Sequence, residues 1–136
     1  MRITICGSMH FAQTMLDTQK KLQKLEHEVI VPILTKECVT NPELNIDVKS
    51  LVENDCMRDH FNKIAAGDAI LVINEKRKGV DGYIGGSTLM EIGIAYFNKK
   101  KIFILNQLPS EAIFSYIFEV KLTNSIILNG DLTKIK

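Results

Sequence analysis

The sequence predicts a single α/β domain over residues 1–136: a doubly wound, parallel five-stranded sheet in a flavodoxin- or Rossmann-like three-layer sandwich. Three observations predict it. Short apolar runs recur along the chain, each followed by a longer stretch with helical spacing, and such βα alternation forms an open parallel sheet covered on both faces. One run, Ala69-Ile70-Leu71-Val72-Ile73, is apolar without interruption, as a strand buried on both faces must be. A chain of 136 residues, 46% hydrophobic, has enough apolar material for one core and too little for two. The expected strand order is 2-1-3-4-5.

The elements follow in order. Ile3-Thr4-Ile5-Cys6 is a short strand closed by Gly7. From Ser8, the spacing of Phe11, Met15, Leu22 and Leu25 predicts a helix, with Lys20, Lys21 and Lys24 toward solvent. Glu28 to Pro32 reads as the second strand. Residues 34–50 are polar and irregular, with Asn41-Pro42 as a turn signal, and are expected to form a long loop of functional or mobile character. Ser50 to Ala66 reads as one helix burying Leu51, Val52, Met57, Phe61 and Ile64. The central strand 69–73 and a glycine-rich loop lead to a helix over Thr88–Asn98. Ile102 to Leu105 is the fourth strand, Ser110 to Leu122 a helix, and Ser125 to Leu128 a short fifth strand.

Composition narrows the function classes. Seventeen basic and sixteen acidic residues leave a formal charge of +1, without the basic footprint that nucleic acid demands, so a small-molecule partner is expected. The three cysteines, Cys6, Cys38 and Cys56, are odd in number and lack CxxC spacing. They read as reduced thiols in a cytoplasmic protein, with neither a disulfide framework nor a zinc site. No metal and no cofactor is expected. The N-terminus turns polar too soon for a signal peptide, and no apolar run approaches the roughly 18 residues of a membrane span.

In such sheets ligands bind beyond the carboxyl ends of the strands, where the strand order reverses. That rule nominates Gly7-Ser8-Met9-His10, the stretch from Asn74 to Gly86, and Asn106-Gln107. Gly7 and Ser8 open a helix whose free N–H groups suit a phosphate or another polar group; Ser8 is equally suited to cap that helix. The second segment carries Gly79, Gly82, Gly85 and Gly86 within eight residues. Beyond it, Glu91 is the one charged residue between Asp81 and Lys99, expected in the first turn of an otherwise apolar helix. Thr88-Leu89-Met90-Glu91 also matches a capping box, a role that competes with catalysis.

At this loop the sequence resembles the nucleoside 2-deoxyribosyltransferase-like superfamily, which also includes small nucleoside 5′-monophosphate N-glycosidases. The resemblance rests on Ile5-Cys6-Gly7-Ser8, on His60 to Ile64 ahead of Gly67 to Val72, and most specifically on Tyr83 to Tyr96 with its Glu-hydrophobic-Gly-x-Ala motif. It implies that Glu91 is the nucleophile at the sugar anomeric carbon. It also implies a proton-handling group ahead of the third strand, a place that falls at His60 with Asp59 beside it. A helix histidine of structural role is the alternative for His60. Substrate-binding positions implied are Gly7, Ser8, Asn74, Gly85, Gly86 and Ser87, and the partner is a nucleoside or nucleotide.

The first loop departs from the phosphohydrolase pattern, since Met9, His10 and Phe11 replace its arginine and extra glycines. Arg77 and Lys78 offer positive charge from another loop, or are simply solvated. Asp68 reads as structural, and Lys99-Lys100-Lys101 as a charge run suited to a helix C-terminus. The cytokinin-activating phosphoribohydrolases, with a PGGxGTxxE loop, match less well, because Gly85 to Glu91 is one residue shorter and lacks the proline. A phosphoacceptor receiver is excluded by Ile73-Asn74 where an aspartate should end the third strand. A flavodoxin is excluded by Met9-His10-Phe11 after Ser8. A non-catalytic nucleotide-binding or sensing module is the alternative function. The family resemblance implies a homodimer or higher homo-oligomer, and Ile113 to Phe118 is a candidate interface or a core-facing helix.

Overall fold

The computed structural model describes residues 1–136, apart from the side chain of Asn45. Five strands, β1 (Arg2–Gly7), β2 (Glu28–Ile30), β3 (Ala69–Ile73), β4 (Lys101–Ile104) and β5 (Ile126–Ile127), form one sheet in the order 2-1-3-4-5. Every pairing is parallel. The expected fold class and strand order are therefore observed. The helices are α1 (Ala12–Lys24), α2 (Thr35–Thr40), α3 (Val48–Glu53), α4 (Cys56–Ala66), α5 (Gly86–Phe97) and α6 (Ile117–Leu122).

Strand alternation divides the core into two layers. Ile3 and Ile5 of β1, with Ala69, Leu71 and Ile73 of β3, face α1 through Met15 and Leu22. The C-terminal segment closes the same layer through Leu128 and Ile135. On the other face Cys6, Ile70, Val72, Ile102 and Ile104 meet Ile64 of α4, Ile92 and Ala95 of α5, and Ile117 and Val120 of α6. All five residues of β3 are buried, as its unbroken apolar run requires. Asp68, at the amino end of β3, accepts the Arg2 N–H at 2.7 Å and has the structural role expected of it.

Three expected elements are corrected. Residues 34–50 are helical, not irregular: α2 buries Thr35 and Cys38, and a 3-10 turn spans Pro42–Ile46. The single helix over 50–66 is two helices, because Asp55 takes a left-handed φ of +46° between α3 and α4. Val52 and Met57, expected in the core, are 72% and 50% exposed as a result. In the segment 110–122 only Ile117–Leu122 is an α-helix, and the chain before it forms turns in which Phe114 stacks on Tyr116 at 5.2 Å between ring centroids. No helix among the described residues is long and apolar enough to cross a membrane.

Candidate active site

The carboxyl ends of β1 and β3 hold the site, at the reversal of strand order. β1 finishes with Gly7 at φ +150°, where a Cβ would lie 2.7 Å from the Ile73 carbonyl oxygen, so only glycine lets these strands run this close. Ser8 then caps a 3-10 turn over Met9–Phe11, its Oγ accepting the His10 N–H at 3.3 Å. Across the cleft, the loop after β3 turns at Gly82, at φ +72°, where an added Cβ would run into the Gln107 carbonyl oxygen. Its end, Gly85, is the N-cap of α5 and offers no side chain to the first turn. The first N–H groups of α5 have no partner within the helix and border the same cavity.

α5 lays Thr88, Ile92 and Ala95 against the sheet, and Glu91 falls on that same stripe. Glu91 thus sits in the second turn, not the first, and Thr88 is a buried residue inside the helix, so the capping box is not formed. The Glu91 side chain is 13% exposed. Its Oε1 lies 3.6 Å from Nε2 of His60, the residue that α4 buries one turn ahead of Ile64. Nε2 is also 3.5 Å from the Cys6 Sγ, which β1 directs to this face of the sheet. Glu91 Oε2 and His60 Nδ1 are buried without a hydrogen-bond partner.

This burial sets the charges. Desolvation pushes the Glu91 carboxyl up to about 8, with the Cys6 thiol and the Gly7 N–H pulling the other way. Desolvation pushes His60 down to about 4, helped by Lys63 and opposed by Asp59. The Cys6 thiol is raised well above its ordinary value, by burial first and by Glu91 second. Burial thus favours the neutral form of both members of the Glu91–His60 pair.

Above the pair opens a cavity of about 450 Å³, bordered by Gly7, Ser8, the Gly85–Thr88 turn, His60 and Glu91. One wall is apolar: Leu51 and Val52 of α3, with Met57 and Phe61 of α4. The break at Asp55 is what turns Val52 and Met57 out of the core and onto this wall. The mouth is cationic. Arg77 donates from Nη1 to Ser8 Oγ at 3.3 Å, its Nη2 is 3.4 Å from His10 Nε2, and its guanidinium carbon stands 5.2 Å from the Tyr83 ring centroid. None of the ion pairs among the described residues engages Arg77. His10 is held below its ordinary pKa by burial and by the Arg77 and Lys78 charges.

Seven sequence-nominated residues thus converge: Gly7, Ser8, His60, Gly85, Gly86, Ser87 and Glu91. Two do not. Asp59 points away and pairs with Lys63 at 2.8 Å, one helical turn on. Asn74 is fully buried and ties the loops after β3 and β4 together, donating to the Asn106 and Gln107 carbonyls and accepting the Asn106 N–H at 2.8 Å. The chain matches no family model, no curated protein and no solved structure. What the site can do therefore rests on its own geometry.

Two features escaped the sequence reading, and a third was left open. Cys6 was legible in principle, since alternation along β1 places it opposite Ile3 and Ile5, on the face of the site. Arg77 was offered with Lys78 as a source of positive charge or as solvated surface, and the structure sets Arg77 at the cavity. The apolar wall required the break at Asp55, a left-handed residue that nothing in Asn54-Asp55-Cys56 demands. Chemically, the arrangement offers a buried carboxyl, an adjacent imidazole, a dry wall and a cationic mouth. It suits a ligand with an apolar ring at one end and an anion at the other.

Proposed function

We propose that this protein cleaves, or transfers across, the N-glycosidic bond of a nucleoside 5′-monophosphate, with Glu91 as nucleophile and His60 as the proton-handling group. The observation that carries the proposal is Glu91 itself. An otherwise sheet-facing stripe of α5 contains a buried carboxyl at the cavity floor, 3.6 Å from an imidazole and with one oxygen unpartnered. Burying such a group costs stability, and strongly perturbed carboxyls in clefts concentrate at functional sites. The resemblance at Tyr83 to Tyr96 assigns the same residue the same role.

In the proposed reaction, ionised Glu91 forms a bond from its Oε to the anomeric carbon as the carbon–nitrogen bond breaks. The bonding pair leaves on the base nitrogen, which takes up a proton that His60 relays from water. Water then hydrolyses the glycosyl ester, or an acceptor base takes the sugar. Leu51, Val52, Met57 and Phe61 supply the apolar surface that a flat base would lie against. Arg77, with Ser8, supplies a cation for the 5′-phosphate, which favours the monophosphate over the free nucleoside. Asp59, facing Lys63, is the weaker candidate for the proton. The proposal includes a homo-oligomer, supported by exposed apolar side chains at Phe97, Ile113 and Phe118 and testable by sedimentation.

The test is free-base release, followed by liquid chromatography, from ribo- and deoxyribonucleosides and their 5′-monophosphates, with Glu91→Gln, His60→Gln and Asp59→Asn alongside. The expected result is release by wild type and Asp59→Asn, none by Glu91→Gln, and a large loss in His60→Gln. Turnover retained in a folded Glu91→Gln overturns the assignment. One observation favours a second reading, a nucleotide-binding or sensing module: a Glu91 carboxyl held at about 8 is mostly protonated at neutral pH and can donate a hydrogen bond to a ligand. Thermal stabilisation by monophosphates with no base release at any pH from 6 to 9 would select it.

A further inference from the structure

Cys6, His60 and Glu91 come from three separate elements, β1, α4 and α5, and no spacing in the sequence links them. Their sulfur, nitrogen and oxygen atoms nevertheless lie within 4.8 Å of one another. We propose that these three side chains form a binding site for a zinc-class divalent metal ion, with a fourth position open to the cavity.

The distances carry the inference. The His60 Nε2 to Glu91 Oε1 separation of 3.6 Å is too long for a hydrogen bond. It is close to the edge of a coordination tetrahedron: ligand bonds of about 2.0–2.1 Å place nitrogen and oxygen about 3.4 Å apart. With a zinc–sulfur bond of about 2.3 Å, the sulfur-to-nitrogen edge is about 3.5 Å, and Cys6 Sγ lies 3.5 Å from Nε2. The donor set of thiolate, imidazole and carboxylate is one that zinc accepts, and three protein ligands leave one position for water or another ligand.

Charge balance fits the burial. Metal entry releases the Cys6 thiol proton and the Glu91 carboxyl proton to solvent, while His60 binds as the neutral imidazole through Nε2. A dication with one thiolate and one carboxylate sums to zero, which a site this poorly solvated tolerates far better than an unpaired charge. His60 and Glu91 border the cavity, giving an ion a route from solvent, whereas Cys6 lies behind them, fully buried. The inference is independent of the glycosidic proposal. Where both hold, metal and sugar compete for Glu91, and the loaded protein is the inactive one.

The test is a titration of the chelator-stripped, reduced protein with Co²⁺, read by absorbance without any substrate. One equivalent is expected to produce a thiolate-to-cobalt charge-transfer band with intense visible bands of a four-coordinate centre, and Zn²⁺ is expected to bleach both. Cys6→Ser should remove the charge-transfer band, Cys38→Ser and Cys56→Ser should retain it, and His60→Gln or Glu91→Gln should weaken Co²⁺ binding at least tenfold. Absence of a saturable band overturns the site, as does a band that survives Cys6→Ser or disappears in Cys56→Ser. If circular dichroism shows Cys6→Ser unfolded, the other two ligands decide: unchanged affinity in both His60→Gln and Glu91→Gln overturns the site. Loss of base release has no bearing on these readings.

Discussion

Replacing Glu91 by glutamine should make the protein more stable at alkaline pH and change little in acid. The carboxyl goes from 4.5 in the unfolded chain to about 8 in the folded one because burial disfavours its charge. Between those values the unfolded state gives up a proton that the folded state keeps, so stability is fully present below 4.5 and is lost as pH rises through 8. At about 1.4 kcal/mol per pH unit the loss totals about 5 kcal/mol. His60 has the opposite sign. Its folded value of about 4 lies below the ordinary 6.5, so its contribution is present above 6.5 and is lost as pH falls through 4.

The two slopes nearly cancel between pH 4.5 and 6.5, where wild type should be flat from this pair. Above pH 6.5 only the carboxyl still titrates, and wild type should lose about 2 kcal/mol by pH 9. Glu91→Gln should show no such fall. Denaturant unfolding of both proteins at half-unit steps from pH 5 to 9 measures this, and taking the difference between them removes every titration they share. The curves should converge near pH 5 and diverge upward from it. Parallel curves would refute the reasoning, since they would mean that Glu91 titrates alike in both states and is not effectively buried.

Three further outcomes follow from the same geometry. If Glu91 attacks as the carboxylate, kcat/KM for base release should rise about tenfold per pH unit below 8 and level above it; a profile flat from pH 6 to 9 would exclude it as the nucleophile. Arg77→Ala should raise KM for a nucleoside monophosphate by roughly tenfold to a hundredfold, the range of a lost charge-assisted hydrogen bond, while leaving turnover of the free nucleoside nearly unchanged. Equal effects on both substrates would separate Arg77 from the phosphate. Gly82→Ala combines a left-handed backbone with a Cβ driven into the Gln107 carbonyl and should cost about 2–3 kcal/mol in denaturant unfolding.

The strongest sequence signals were those that depend on burial alone. Ala69 to Ile73 announces a central strand because a parallel strand covered on both faces favours an unbroken apolar run, and the order 2-1-3-4-5 then fixes which loops meet. Glu91 was legible for the converse reason, as a lone charge in an apolar helix. What the sequence left hidden depends on single backbone choices. Asp55 can adopt a left-handed conformation at modest cost, and that one residue decides whether Val52 and Met57 enter the core or line a cavity. In 34–50 and 110–116, short helices and turns are stabilised by tertiary contacts at Cys38 and Phe114 more than by local propensity, so periodicity over so few residues carries little information.

The cluster at Cys6, His60 and Glu91 costs the fold stability on both sides of its pH window. Leucine or methionine at position 91 would add an apolar side chain to the buried stripe of Thr88, Ile92 and Ala95 and remove the alkaline loss. A packing role at position 60 would likewise be filled better by an aliphatic residue adjoining Ile64. Structure alone therefore favours neither the acid nor the imidazole. Their convergence with a thiol beneath one cavity, at the one place where the strand order reverses, is accounted for by what the cluster binds or does. Two experiments divide the possibilities cleanly. Base release asks whether the carboxyl meets a sugar, and cobalt spectroscopy asks whether it meets a metal. Because metal entry must expel the protons on both Cys6 and Glu91, cobalt affinity should rise about a hundredfold per pH unit below about 8 and about tenfold per unit above it, with the break at the value that governs the stability difference. Agreement of that break with the stability midpoint would identify Glu91 behind both; a slope of about tenfold per unit with no break would remove Glu91 from the ligand set.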